Sequence, residues 1–501
     1  MSTDFDVHRN WLAITGSLPL SEWYTNQTSE WTLDYPPLFA AFEWILAQIA
    51  RVFAPSILQL SATPIRSWEA LVFQKSSVIL ADSLLFYALW QYACSTSLSR
   101  QQFMRSFQWS YLLLYLHPGL LLLDHVHFQY NGFLTGFLVL SISLAVQRRY
   151  LLSLVSFVLL LHCKHIYIYL FPAFGTFFLF SVVLPAPRPL LHALKYFVVA
   201  CILTLLVWSP FLSLGQGTTV LRRLFPFEGR GLMHAYWAPN FWVVYTLVDK
   251  ACCLAVPNAC GEAMRGALTS GLVGAKDVHS CLPQVTPFTS LGLTLAASLL
   301  LVLLVRRKWS LPMQASYAAL CAFVFGWHVH EKALLLVLYP LGSWVLISMS
   351  HATKVASSAP SITPQQSMLW RRLFIAISLT AHCAIYPLLE DSSLIALKLS
   401  LLLWHVLLLF CWWQEQAQEQ VQELEQQRLR LDAPWFERLC FHQLWLLTLT
   451  IMLLAIGGWE IGLWRIVGGN HLPFLPLMLV STAMSLPVGW SMLVLIYLTF
   501  Q

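Results

Sequence analysis

The stretch Ala70–Cys94, ALVFQKSSVILADSLLFYALWQYAC, decides the fold. It is long enough to cross a bilayer, which takes roughly 20 apolar residues, and Lys75 and Asp82 are its only charged side chains. Apolar runs of this kind recur along the chain. Working outward from it, they lie at 107–123, 132–147, 150–163, 166–184 and 196–213, and, after a polar interruption, at 286–305, 312–327, 333–349, 372–389, 395–412, 439–463 and 474–500. The shorter ones suit helices that end in a cavity or pack against protein. The 501 residues are 58% hydrophobic and only 10% charged, whereas soluble domains carry about 25% charge. An all-α polytopic membrane protein follows. The net charge of +6 matches the Lys/Arg excess of cytoplasmic loops and calls for no nucleic-acid partner.

Charge placement orients the spans. If the first loop is non-cytoplasmic, alternation puts Arg100, Arg105, Arg148-Arg149, Arg188, Lys195, Arg306-Arg307-Lys308 and Arg371-Arg372 on the cytoplasmic side. The aromatic run Tyr236–Val256 would reverse that order as a full span, so it is expected to be re-entrant or to lie flat. Lys164, Arg222-Arg223, Arg230 and Lys332 sit on the opposite side, against the bias, which points to an anionic ligand. The chain thus divides into a luminal loop at 1–66 with interfacial helices, including apolar 36–54 with Glu43 and Arg51, and a first helix group at 67–213. A long luminal loop follows at 214–285, then a second group at 286–501 with a Gln/Glu-rich cytoplasmic connection at 414–438. Asn26-Gln27-Thr28 is an N-glycosylation sequon in the first loop. Cys252, Cys253, Cys260 and Cys281 cluster in the long loop as a disulfide pair or as free thiols.

The first forty residues hold five of the 23 acidic side chains, Glu22 and the four in Asp4-Phe5-Asp6-Val7-His8-Arg9-Asn10-Trp11 and Glu30-Trp31-Thr32-Leu33-Asp34-Tyr35-Pro36-Pro37. They lack the apolar run of a signal peptide. Polar clusters at span ends share their side of the membrane: Asp124-His125-Val126-His127-Phe128-Gln129-Tyr130-Asn131-Gly132, Lys164-His165-Ile166-Tyr167, Arg223 to Arg230, His234-Ala235-Tyr236-Trp237, and His328-Val329-His330-Glu331-Lys332. Ionisable groups at membrane depth are functional candidates by default. Each also has a plain structural reading as a snorkelling or paired group. The His pairs two residues apart face one way only in extended chain, and no HExxH pattern appears, so a metal site is not expected. Such cations can hold a phosphate, while a carboxylate can take a proton from an attacking hydroxyl. Asp4 reads equally as the cap of a helix beginning near Val7, and Asp34-Pro37 as a turn.

Taken together and in order, Asp4-Phe5-Asp6 with Arg9-Asn10-Trp11, Leu33-Asp34-Tyr35-Pro36-Pro37, His127-Phe128-Gln129-Tyr130-Asn131, Arg223-Leu224-Phe225-Pro226 with Arg230-Gly231, and His328-Val329-His330-Glu331-Lys332 resemble the endoplasmic-reticulum glucosyltransferases that use dolichyl-phosphate glucose, of the GT-C class. Trp31-Thr32-Leu33, Lys164-His165-Ile166-Tyr167 and His234 to Trp242 resemble the family's second-glucose branch. The resemblance implies a GT-C-like transmembrane bundle in the endoplasmic-reticulum membrane with a luminal active site. It implies inverting, metal- and cofactor-free α-1,3 transfer of glucose to a monoglucosylated nine-mannose oligosaccharide on dolichyl pyrophosphate. By the same resemblance Asp4 is the base and Asp34 a supporting acid. Arg223, Arg230, His328, His330 and Lys332 hold the donor phosphate, and His127, Gln129, Lys164, Glu331, Tyr236 and Trp237 are further pocket residues. The family pattern has a transmembrane helix ahead of Asp4, so an upstream segment is expected to be missing here. The Phe227–Gly231 segment is one residue longer than the pattern. The alternatives are the sister activity that adds the first glucose and, from another class, a transporter or flippase; no repeated halves support the latter.

Overall fold

The computed structural model describes residues 2–226, 231–234, 237–255, 279, 281–306, 308–348, 363–389, 391–427, 442–460, 462 and 475–500. Among these there is no β-strand, only one isolated parallel bridge between Met233 and Val329. The chain forms two compact units. The first comprises Met1–Tyr111, Leu120–Phe171 and Phe177–Pro226, and the second Leu112–Gly119, Pro172–Thr176 and Phe227–Gln501.

In the first unit, α1 (Thr3–Ser17) is capped by Ser2, whose hydroxyl accepts from Phe5 N–H at 3.2 Å. Asp4 therefore lies in the first turn and is not the cap. Helix α2 (Pro37–Phe53) begins with Pro37 at its first position, where the missing N–H costs nothing. It buries Phe39, Ala40, Leu46, Ala47 and Ala50 and exposes Trp44, Ile45, Ile49, Val52 and Phe53. An apolar outer face of this kind suits the interfacial position expected for 36–54. Glu43 faces inward, however, fully buried and 2.7 Å from His8 Nδ1. Burial pushes its carboxyl above the ordinary carboxylate range, and His8 pulls it part of the way back.

Helices α3 (Trp68–Ala81) and α4 (Ser83–Thr96) form one apolar run, Trp68–Thr96, with a turn at Asp82. Among the described residues seven helices are long and apolar enough to cross a membrane: Trp68–Thr96, His165–Val183, Pro189–Ser213, Pro287–Val305, Pro364–Leu388, Ser392–Gln418 and Leu477–Phe500. The most apolar stretch of Pro189–Ser213 has no buried residue, as expected of a helix that faces lipid. The expected span at 107–123 is instead broken. Helix α5 (Arg100–Ser110) continues in a wide turn to Tyr115, stops before His117, and resumes from Pro118 to Phe128. Pro118 has no N–H to donate and disfavours helix in the residue before it.

The first unit is completed around α6 (Asn131–Val146) and α7 (Tyr150–Cys163). Small residues make the seams. Ser141 Oγ donates to Ser153 O at 2.7 Å and Ser156 Oγ to Phe137 O at 2.9 Å, joining α6 to α7. On another face of α6, Gly132 and Gly136 let α4 and Asp82 approach closely, as small residues four apart do between membrane helices.

The second unit contains α8 (Phe241–Ala255), α9 (Pro287–Leu300), α10 (Leu311–Phe325), α11 (Leu335–Gly342), α12 (Pro364–Cys383), α13 (Ile395–Gln427), α14 (Leu444–Glu460) and α15 (Leu475–Phe500). Helix α8 spans roughly 22 Å at 1.5 Å per residue, against about 30 Å for the hydrocarbon core. Residues 235–236 and 256–278 of this part of the chain lie outside the described residues. Residues Leu311 to Val324 of α10 and all of α11 are buried in protein. That accounts for two of the short apolar runs. Cys252 and Cys281 form no disulfide and are hydrogen-bonded to each other as thiols. Cys260 and residues 428–438 of the Gln/Glu-rich connection lie outside the described residues.

A Cβ at Gly136 would lie 2.8 Å from Leu85 N and 2.9 Å from the Leu84 carbonyl carbon, and backbone has little room to yield. Gly136→Val is expected to destabilise the protein by about 1–3 kcal/mol, read as a lower melting temperature in detergent. An unchanged melting curve would mean that the α4–α6 seam is looser than these distances require.

Candidate active site

In the first unit the two acids of Asp4-Phe5-Asp6 have different environments. Asp6 is buried and takes a two-point contact from Arg66, at 2.6 Å from Nη2 and 3.3 Å from Nε. Phe5 packs edge-on against Phe128 at 5.3 Å. Asp4 points elsewhere. Its Oδ2 accepts from Gln129 Nε2 and lies 3.2 Å from His127 Nε2, while its side chain stays 28% exposed. Ser2 Oγ, the cap of α1, also donates to His127 O, so one residue starts the helix and ties it to the segment that faces Asp4.

A buried network stands behind Gln129. Asn131 Nδ2 donates to Gln129 Oε1 and to Asp124 Oδ1, each at 2.8 Å, and Gly132 N–H donates to Asp124 Oδ2 at 2.7 Å. Lys164 Nζ is 3.4 Å from Asn131 Oδ1 and 5.1 Å from the centre of the Tyr35 ring. His125 Nε2 bonds Asp82 Oδ2 at 2.9 Å. Burial, reinforced by Asp82, pushes the Asp124 carboxyl up to about 7 against the bonds from Gly132 and Asn131. Sequence reasoning names Asp124 and Asn131 within the polar cluster 124–132 but gives neither a role in the pocket, as it does His127, Gln129 and Lys164. The only cue is the glycine at 132, which admits Asp82.

Asp34 lies half-buried in the loop that precedes α2. Asn10 Nδ2 donates to Trp31 O at 2.8 Å and Trp11 Nε1 to Thr32 O at 3.1 Å. Tyr24 Oη donates to Tyr35 O at 2.7 Å. Arg223 holds the same loop from the other side, with Nη1 3.0 Å from Thr32 Oγ1 and Nε 3.3 Å from Tyr24 O. Within that loop Asn26 and Thr28 form an Asx turn, with both Asn26 Nδ2 to Thr28 Oγ1 and Thr28 N to Asn26 Oδ1 at 3.1 Å.

The second unit builds a histidine cluster. Segments 231–234 and 327–330 run side by side, joined by the Met233–Val329 bridge and by His328 N–H to Leu232 O at 2.9 Å. His234, His328 and His330 therefore place ring nitrogens within 4.8 Å of one another, a set that suits an anion or a metal ion. His328 Nδ1 is 2.9 Å from Gly231 O, which fixes that ring. Buried Glu331 lies 3.4 Å from His234 Nδ1. Burial raises its carboxyl, but His234 and Lys332 together bring it below the ordinary carboxylate range. Trp237 is packed with Val243, Leu477 and Met478, with Lys250 Nζ 5.1 Å from its ring centre. Arg230 and Tyr236 lie outside the described residues.

The pattern describing the "ALG6, ALG8 glycosyltransferase family" matches residues 1–495. A mouse protein named dolichyl pyrophosphate Glc1Man9GlcNAc2 alpha-1,3-glucosyltransferase is 39% identical over 80% of this chain and 76% of its own length. Proteins of the same name from Coccidioides immitis (strain RS) and Arabidopsis thaliana are each 36% identical, covering 99% and 98% of this chain and 94% and 92% of their own. The chain belongs to the ALG6, ALG8 glycosyltransferase family.

Proposed function

We propose that this membrane protein transfers glucose from dolichyl-phosphate glucose to the monoglucosylated nine-mannose oligosaccharide on dolichyl pyrophosphate, forming an α-1,3 bond at the luminal face of the endoplasmic reticulum. The relatives' shared name supports the acceptor and the linkage. The observation that carries the chemistry is the Asp4 carboxylate, held by Gln129 and His127 yet open to an incoming hydroxyl.

In this reading Asp4 takes the proton from the 3-hydroxyl of the acceptor's terminal glucose. That oxygen bonds to C1 of the donor glucose as the bond from C1 to the phosphate oxygen breaks, and dolichyl phosphate leaves. Attack opposite the leaving group inverts the anomeric centre, so an α product requires a β-linked donor. Asp34 supports the base from its pinned loop. Arg223, Arg230, His328, His330 and Lys332 are the cations that the family resemblance assigns to the donor phosphate, whose growing charge is well stabilised by charge-assisted hydrogen bonds. No metal or cofactor enters this reading.

Asp4→Asn is expected to insert normally and to lose roughly a hundredfold or more in transfer rate, the scale of general-base catalysis. Near-wild-type turnover by the purified variant would sink the assignment. Acceptors carrying zero or one glucose separate the two sister activities: only the monoglucosylated one should be extended, at a rate unaffected by a chelator. Extension of the glucose-free acceptor would favour the sister activity, and inhibition by the chelator would turn the histidine cluster into a metal site. A glycan at Asn26 tests the sidedness. Glycosidase treatment should increase the mobility of the protein expressed in cells, and Asn26→Gln should abolish that shift.

A further inference from the structure

We propose that Asp124 is a positioning residue for the reaction, acting through Asn131 and Gln129 to present the Gln129 amide nitrogen to Asp4. The proposal rests on the reading of Asp4 as the base. The chain of contacts has one consistent direction. Both hydrogens of Asn131 Nδ2 are used, one on Asp124 Oδ1 and one on Gln129 Oε1, each at 2.8 Å. With its oxygen committed to Asn131, Gln129 turns its own NH₂ toward Asp4 Oδ2.

What sets the direction is the charge on Asp124. An ionised carboxylate only accepts hydrogen bonds, so Asn131 must face it with nitrogen. A flipped Asn131 would set its oxygen against the carboxylate and turn its NH₂ toward Lys164, whose ammonium is also a donor. Reversal of Asn131 frees Gln129 to reverse, which puts an amide oxygen against the Asp4 carboxylate. The amide then repels the base it otherwise holds in place. Burial in α6 and its neighbours leaves no water to substitute: Asp124 is 0% exposed, Gln129 4% and Asn131 8%.

Because the Asp124 carboxyl is pushed up to about 7 by burial and then by Asp82, the device responds to pH. The groups facing it are Lys75 and Asp82 from the Trp68–Thr96 run, His125 beside it, and Asn131 and Gly132 from α6. The Tyr35, Tyr130 and Tyr167 hydroxyls also feel its charge. From α1, His8 packs on Phe128 and Asp4 closes the chain. Below the Asp124 pKa the carboxyl gains a proton and no longer enforces the amide order. Turnover should therefore rise as pH increases through about 7.

The test uses the full chain in detergent with dolichyl-phosphate glucose and the monoglucosylated acceptor. Wild-type kcat should show an inflection near pH 7. In Asp124→Asn, kcat should fall roughly tenfold to a hundredfold, the scale of a mispositioned catalytic group, with KM for both substrates unchanged and the inflection gone. Asn131→Ala cuts the chain but leaves Asp124 its bond from Gly132, and should lose kcat to the same extent even if Asp124→Asn fails to fold. A flat wild-type profile around neutrality, or either folded variant with normal kcat, overturns the proposal. Should Asp4→Asn prove inactive while both of these variants turn over normally, this inference fails alone; an active Asp4→Asn removes the base reading beneath it.

Discussion

The hydrogen bond from Gly132 N–H to the Asp124 carboxylate, 2.7 Å long, is the contact on which the polar interior of the first unit depends. A carboxylate sealed in an apolar frame is costly unless donors reach it. The first turn of a helix is the cheapest source, because its N–H groups have no partners within the helix and its dipole favours negative charge. The residue that donates must also be small, since Asp82 occupies the space where a side chain would project. Glycine at 132 therefore serves the α4–α6 approach and the carboxylate at once. His125 Nε2 in turn lies 2.9 Å from Asp82 Oδ2.

The second unit solves a similar problem differently. Lys398 and Glu460 form a buried pair at 2.7 Å, each charge almost fully removed from solvent, with Lys398 also donating to Leu389 O at 3.0 Å. Beside it, Tyr386 Oη donates to Lys398 O at 2.7 Å, so it must accept from His382 Nε2. With neutral rings only one proton order then remains. His405 Nδ1 donates to His382 Nδ1, Ser378 Oγ donates to His405 Nε2, and His117 Nε2 donates to Ser378 O. Gly119 N–H closes the row on His117 Nδ1. Every polar atom named finds a partner without water, the condition for polar groups at membrane depth.

The helical membrane frame was legible because apolar runs of spanning length have few other readings. Where a run did not become one helix the cause was local, at Pro118, while Leu335–Ile347 is buried in protein. The inward turn of Glu43 was less legible, because Arg51 beside it does reach the surface and the two look alike in sequence. At the candidate site, residue types pointed to Asp4, His127 and Gln129, which the structure brings together. They did not reveal that Ser2 caps α1, that Arg66 occupies Asp6, or that His234 joins His328 and His330. Those facts depend on partners distant in sequence, which hydropathy and charge patterns do not encode.

The two polar clusters share a geometric device. His127 and Gln129 are two residues apart, and on a continuous helix side chains at that spacing point away from each other. Both nonetheless reach the same oxygen of Asp4. The residue between them, Phe128, has φ +92°, and Gln129 is fully extended at φ −156° and ψ −179°. His328 likewise adopts φ +51°, with the extended His330 two residues on. A side chain in that region is uncommon and costs of order 1–3 kcal/mol. In the first unit this residue ends the helical run at Phe128, and in the second it follows the extended Gly326 that ends α10, so that side chains at alternate positions come to one side. Leaving the helix exposes backbone groups that lipid will not satisfy, so such a break is tolerable only against protein or a polar cavity. Both candidate clusters thus lie in chain that has left the helix.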